Sequence, residues 1–207
     1  MRDTDHTELI AGFILGGGKS LRMGVDKGLL EIDGVAVIVR TVRVVEMVAG
    51  SACVVGRAEM YRGLGLNAIA DDWPGAGPLG GIATALRASE AEWNLIVACD
   101  LPYLTRPWLE FLVERAHASA ADAVVPMNVR GAEPLCAMYH ARCERAIRAA
   151  LEEGTRKVID GVERIRVEYL EPVEWKCFDS EGLLFKNMNT PADYEEAKTR
   201  LVVRAKS

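Results

Sequence analysis

Apolar and polar positions along this chain fall into two alternating patterns. Ile10 to Leu15 and Asn94 to Cys99 are short, continuous apolar runs. Runs of that length fit strands buried on both faces of a parallel sheet. Ala52–Val55, Leu66–Ala70, Ala123–Pro126, Leu135–Tyr139, Ile165–Leu170 and Leu184–Lys186 read as further, shorter strands. Helical segments lie between them. Val35–Val48 is β-branched but long, and follows the turn at Asp33-Gly34. Pro78–Ser89 places its proline where a first helical turn accepts one. Thr105 is positioned as the N-cap of a helix through Ser119, Gly154 closes a helix over Arg142–Glu153, and Pro191 opens a last one. The alternation predicts an α/β fold, Rossmann-like, with a mostly parallel central sheet flanked by helices. Sheets of this kind bind ligands at the carboxyl ends of their strands. Three marked positions fall there: a glycine-rich stretch after the first strand, Asp71-Asp72 after the third, and Asp100 after the Asn94–Cys99 run.

Size and charge narrow the picture. At 207 residues the chain is expected to form a single domain, 1–207, with residues 1–8 as a flexible polar N-terminus. The net charge of −5 and the lack of a basic run argue against a nucleic-acid partner. No apolar run approaches the ~20 residues that span a bilayer. The polar, partly acidic start at Met1–Glu8 is not a signal peptide, so a cytoplasmic location without membrane attachment is expected. Cys53, Cys99, Cys136, Cys143 and Cys177 are odd in number and form no C-x-x-C pair, as reduced thiols would be. His6, His117 and His140 are scattered, which suggests neither a zinc site nor a Ser-His-Asp system.

The segment Leu15-Gly16-Gly17-Gly18-Lys19-Ser20-Leu21-Arg22-Met23-Gly24-Val25-Asp26-Lys27 carries the strongest chemical signal. Consecutive glycines let backbone N–H groups approach phosphate oxygens with no Cβ in the way. The segment is not a P-loop, because Phe13 stands where the first glycine belongs. It lacks the Rossmann fingerprint as well, since Leu21 replaces the third glycine. Gly75–Gly80 matches that fingerprint literally, but Asp71–Pro74 separates it from the preceding strand and Pro78 interrupts it.

Several side chains have both a chemical and an ordinary reading. Asp100 is either a Mg²⁺ ligand, sufficient alone when substrate phosphates complete the shell, or a turn aspartate. Lys27 and Arg22 are placed to neutralise phosphate charge and steady a transition state; a solvated surface role is the alternative, and the one that suits Lys19 better. Asp71 or Asp72 is able to accept hydrogen bonds from a base or ribose, or simply to shape a turn. Asn187, Asn189 and Thr190 are able to bind a ligand or to cap the final helix.

These strings resemble the molybdenum cofactor guanylyltransferases. LGGGKSLRMGVDK is similar to their L-A-G-G-x-S-x-R-M-G-x-D-K signature, and DDWPGAGPLGG to an aspartate followed by G-P-L-x-G. CDLP, EPL and NMNTPAD match further elements in order, from about Ile14 to Glu196. The resemblance implies the nucleotidyltransferase fold and transfer of GMP from GTP, with Mg²⁺, to molybdenum-bound molybdopterin, releasing pyrophosphate. It implies that Leu15, Gly16 and Gly17 bind GTP through backbone groups and that Lys27 contacts its phosphates. Asp71 would help hold the nucleotide, with Asp72 as the alternative, and Asp100 would bind Mg²⁺ and the nucleotide. Lys27, Asp100 and Arg22 would be the catalytic set, and Asn187 and Asn189 would lie toward the pterin. Cofactor-delivery proteins or molybdoenzyme chaperones are the implied protein partners. Gly16 stands where the family has alanine, an exchange expected to be tolerated and to loosen the loop. The rival expectations are a related transferase using CTP or another phosphorylated acceptor, and a nucleotide-binding regulator without turnover.

Overall fold

The computed structural model describes residues 10–16 and 26–204. Among these residues ten strands and eight α-helices follow in chain order. The first half comprises β1 (Ile10–Leu15), the two-residue strands β2 (Glu31–Ile32) and β3 (Val35–Ala36), α1 (Val37–Ala49), β4 (Ala52–Gly56), α2 (Ala58–Arg62), β5 (Ala68–Ala70), α3 (Pro78–Ala88) and β6 (Trp93–Ala98). The second comprises α4 (Arg106–His117), β7 (Ala123–Asn128), β8 (Gly131–Ala132), β9 (Cys136–His140), α5 (Glu144–Glu152), α6 (Val158–Val162), β10 (Val167–Leu170), α7 (Pro172–Trp175) and α8 (Pro191–Arg204).

The main sheet runs β10-β7-β9-β6-β1-β4-β5, with β8 paired to β7. β1 is parallel to β4 and β6, β5 to β4, and β10 to β7. Only β9 opposes them along this path, lying antiparallel between β6 and β7. The sheet is therefore mostly parallel, as its apolar runs predict, and the strands of both halves point toward one edge.

Period-two alternation splits the core in two. Ile14, Val54, Leu95, Val97 and Val124 face one layer, packed by α1 and α4. Phe13, Val55, Ile96 and Val125 face the other, packed by α3, α5 and α6. Helix α1 shows why it is helical despite its β-branched residues: Val37, Ile38, Thr41, Val42 and Val45 are buried at helical spacing, and Gly50 ends it at φ +73°. A third cluster joins Ile32, Val37 and Tyr103 to Leu183, Met188 and Ala197, so α8 docks against the β2–β3 hairpin.

Leu184–Lys186 is not the strand its apolarity predicts. Leu184 and Phe185 are buried because Phe185 packs edge-on to Trp108 and Trp175; no neighbouring strand pairs with them. The predicted helix over Arg142–Glu153 begins as a 3-10 turn, Ala141–Cys143, before α5. Thr105 holds the N-cap position of α4, but its side chain makes no capping bond.

Candidate active site

The carboxyl end of β1 is clasped between its neighbours. Gly16 N–H donates to the Val55 carbonyl at 2.9 Å, and Cys99 N–H to the Leu15 carbonyl at 3.2 Å. There is no room for a larger residue: a Cβ on Gly16 would come within 2.8 Å of the Tyr61 ring and of Val54. Gly56, at φ +151°, faces it so closely that a Cβ there would lie 2.0 Å from the Gly16 carbonyl oxygen. Glycine in place of the family's alanine is therefore accommodated at 16, and the contact with Tyr61 holds this end of β1 close rather than loosening it. Gly17 and Arg22, with Gly18 and Lys19, lie outside the described residues, as do residues 1–8.

Asp26 anchors the chain where it re-enters. Its buried carboxylate accepts from Gly28 N–H at 2.9 Å, from the Tyr61 hydroxyl at 3.0 Å and from Arg57 at 2.9 Å. Burial, and secondarily the Asp26 charge, push the Tyr61 hydroxyl's pKa up, so it stays a donor. The same tyrosine thus touches Asp26 and closes over Gly16.

This anchor fixes the next residue, Lys27, which points inward. Its Nζ donates to Asn189 Oδ1 at 2.7 Å and stands 3.6 Å from Asp100 Oδ2. Asp100 follows β6, and its own carbonyl accepts from Met188 N–H at 2.9 Å. Burial raises the Asp100 carboxyl pKa, and Lys27 only partly offsets it. A poorly solvated carboxylate with one lysine beyond hydrogen-bond range gains from a second cation.

Asp71, at the end of β5, lines the same cleft. Its Oδ1 accepts from Trp73 N–H and from Thr84 Oγ1, both at 3.0 Å, and those bonds use that oxygen alone. Asp72 turns away and pairs with Arg87 of α3 at 2.5 Å. Leu15, Gly16, Lys27, Asp71 and Asp100 therefore share one cleft, completed by Asp26, Val55, Gly77, Pro78, Gly81, Ala98, Cys99 and Leu135. Asn189 reaches its edge through Lys27, while Asn187 carries a buried Oδ1 with no partner among the described residues. Thr190 supplies the helix cap: its hydroxyl accepts from Asp193 N–H at 3.2 Å, and Asp193 accepts from Thr190 N–H at 2.8 Å.

Among the described residues no cluster of three or more His, Cys, Asp or Glu is able to hold a metal, and no helix is long and apolar enough to cross a membrane. What the cleft offers is the carboxylates of Asp26, Asp71 and Asp100, one lysine, Lys27, and the end of β1. Residues 12–167 match the model of the MobA-like NTP transferase domain. The chain belongs to the MobA-like NTP transferase family. A relative from Pelotomaculum thermopropionicum, named "Probable molybdenum cofactor guanylyltransferase", is 35% identical over 188 residues, covering 90% of this chain and 91% of its own. The molybdopterin-guanine dinucleotide biosynthesis protein A of Archaeoglobus fulgidus superposes with a TM-score of 0.81 at 26% identity, covering 94% of this chain and 99% of its own. The 2-C-methyl-D-erythritol 4-phosphate cytidylyltransferase of Thermus thermophilus, at 17% identity and TM-score 0.67, shares the fold over 92% of this chain and 98% of its own.

In this MobA-like transferase, sequence reasoning passed over three cleft-side groups. Asp26 and Tyr61 act as a pair, and only Asp26 sits in a recognisable string. Glu133, in Glu133-Pro134-Leu135, is largely buried beside Asn128, which donates to it, and Arg130 at 3.5 Å. Burial raises its pKa, and the Asp100 charge adds a smaller push. The signal for it was the Glu133-Pro134-Leu135 string, which matches a family element but was given no role.

Proposed function

We propose that this transferase moves GMP from GTP to the terminal phosphate of molybdenum-bound molybdopterin and releases pyrophosphate, producing the guanine dinucleotide form of the cofactor. The observation that carries the reading is Lys27 held 3.6 Å from Asp100 at the carboxyl end of β6. The names of its relatives supply the substrates. An acceptor phosphate oxygen attacks the α-phosphorus of GTP, and the bond from that phosphorus to the bridging oxygen of the leaving pyrophosphate breaks. The nucleophile is already anionic at pH 7, so no general base is needed. Alignment and charge stabilisation are what remain for the protein to provide.

Each residue then has a task. Leu15, Gly16 and Gly17 would meet the phosphates through backbone groups, and Arg22 would add a phosphate contact. Lys27, steadied by Asn189, opposes the charge that builds on the leaving group. Asp71 is the acceptor for the guanosine, through its second carboxylate oxygen. Asp100 is the residue to hold Mg²⁺, which accepts one protein carboxylate when phosphates and waters fill the rest of its shell. That ion, when bound, would neutralise the phosphates and favour their in-line geometry. Asn187 and Asn189 stand toward the acceptor, and delivery proteins or molybdoenzyme chaperones would take the product. The deciding experiment incubates purified protein with molybdenum-loaded cofactor, Mg²⁺ and each of the four nucleotides. A guanine dinucleotide product is expected. A cytosine product would move the chain to the cytidylyl reaction, and no product would end the reading.

A further inference from the structure

Tyr61 is wholly buried, yet it carries a hydroxyl into the core beside the cleft. The local sequence explains how it gets there. β4 ends at Gly56, whose φ of +151° lets the chain pass against Gly16, where a Cβ at 56 would collide with the Gly16 carbonyl oxygen. The short helix α2 follows at once. Arg57 at its N-cap and Tyr61 stand four residues apart, which puts them on one face. Both reach Asp26 Oδ2, Arg57 at 2.9 Å and the Tyr61 hydroxyl at 3.0 Å, while Asp26 Oδ1 takes Gly28 N–H at 2.9 Å. Both oxygens of Asp26 are therefore engaged in holding the chain. Arg57 is 54% exposed, so solvent weakens its hold; the tyrosine supplies the buried donor.

One side chain thus touches two flanks of the cleft. The Tyr61 ring lies against Gly16, where an added Cβ would meet it at 2.8 Å. The hydroxyl holds Asp26, the residue before Lys27. Gly16 and Asp26 are distant along the chain, and Tyr61 joins them in space. Burial keeps the hydroxyl protonated, with smaller upward pushes from Asp26 and from Cys99, the residue before Asp100, so it remains a donor. Lys27 needs such a hold. Its ammonium is a point charge on a flexible stem. The position of its backbone sets which groups Nζ reaches, here Asn189 at 2.7 Å and Asp100 at 3.6 Å.

We propose that Tyr61 is a positioning residue for the transfer step: it pins the end of β1 and Lys27 in one fixed relation, so that the Gly16 backbone and the Lys27 ammonium meet the same triphosphate together. The proposal rests on the nucleotidyl-transfer reading above. The ring sets Gly16 by packing, and the hydroxyl sets Lys27 through Asp26. The two contributions are separable, because phenylalanine keeps the ring and loses the hydroxyl. Asp26 Oδ2 then retains the exposed Arg57 alone, and Lys27 gains freedom. Lost alignment acts on the transition state more than on binding, and a misplacement of about 1 Å costs up to about 10²-fold in rate.

The test compares the full wild-type chain with Tyr61→Phe and with Asp26→Asn, which weakens the same hydrogen bond from its acceptor side. In Tyr61→Phe, kcat for GMP transfer should fall about 10- to 100-fold per folded molecule. KM for GTP should stay within about threefold of wild type, the pattern of an interaction realised in the transition state. A second readout needs no turnover. Labelling of Lys27 by an amine-reactive reagent is read by peptide mass spectrometry against the exposed Lys198. It should rise about tenfold in both variants, the weight of one hydrogen bond to a charged group. Thermal midpoints fix the folded fraction. Unchanged Lys27 labelling in folded Tyr61→Phe overturns the proposal whatever the rate does, and so does a lowered midpoint with kcat unchanged. If Tyr61→Phe does not fold, Asp26→Asn decides by the same two readouts. The transfer reading fails separately: wild-type protein that makes no dinucleotide with any nucleotide ends it, and Lys27 labelling still decides whether Tyr61 positions that lysine.

Discussion

Asp100 is a carboxylate that the fold holds at a cost. It is buried enough to raise its pKa, and the nearest lysine, 3.6 Å away, leaves part of that penalty standing. The sign follows directly. A carboxyl whose folded pKa lies above its unfolded value destabilises the folded state once pH rises past that folded value. Asp100→Asn should therefore leave the thermal midpoint unchanged or raised. GMP transfer should fall by about 10²-fold or more, the scale of losing one electrostatic contact in a transition state. Near-normal turnover at saturating Mg²⁺ would remove Asp100 from the mechanism, and a clear fall in midpoint would show that its charge is structural. At Gly16 the expectation is reversed. An added methyl meets Tyr61 and Val54 at 2.8 Å, and overpacking of that kind costs about 1–3 kcal/mol. Gly16→Ala should lower the melting temperature by several degrees and weaken GTP binding with it; an unchanged melting curve would show that Tyr61 yields freely.

Among the elements, one carboxylate ties three segments together at the amino ends of β7 and β10. Asp122 accepts from Arg166 N–H at 3.0 Å, from the Arg166 guanidinium at 3.0 Å and from Arg142 at 2.6 Å, and its pKa is lowered to about 2, chiefly by Arg166. A depressed carboxyl contributes stability above its unfolded pKa, about 3.9, and loses it as pH falls toward 2. Arg166 is 70% exposed, so screening holds the contribution to about 1 kcal/mol. Asp122→Asn should lose that amount at pH 7 and flatten the stability curve between pH 4 and 2, as read by urea melts across that range. The elements the sequence revealed are those with a local signal: β1 and β6 as continuous apolar runs, α1 by its length after the Asp33-Gly34 turn, and the ends of β1, β5 and β6 as ligand positions. It hid the ones set by distant partners. Leu184–Phe185 is apolar because of Trp108 and Trp175, not because of a neighbouring strand. Lys27 meets Asn189 across 162 positions, and local spacing says nothing of that hydrogen bond. Thr190 was legible as a cap because its partner, Asp193, is only three residues on.

At the scale of the molecule, the parallel strands bring Gly16, Asp71 and Asp100 to one edge, although they come from positions up to 84 residues apart. A nucleotide bound there would touch β1, β5, α3 and β6 at once, and so would stabilise the sheet as a unit. Ligand at a hundred times its dissociation constant adds about 2.7 kcal/mol to the folded state, which for a chain of this size is a rise of roughly 5 to 10 °C in melting temperature. Mg-GTP should produce such a rise. Base choice should appear in the same measurement. Asp71 uses one carboxylate oxygen for Trp73 and Thr84, which fixes the side chain and leaves the other oxygen to accept from a guanosine donor. Cytosine presents a different edge, and a site that leaves a buried polar group unpaired rejects the wrong partner strongly. CTP at the same concentration should therefore shift the melting temperature far less than GTP. Asp71→Ala should shrink the GTP shift toward the CTP value, with little change in the CTP shift itself. Equal shifts from both nucleotides in the wild type would overturn the guanine assignment. They would leave the Lys27–Asp100 arrangement intact, because that pair meets phosphates and not the base.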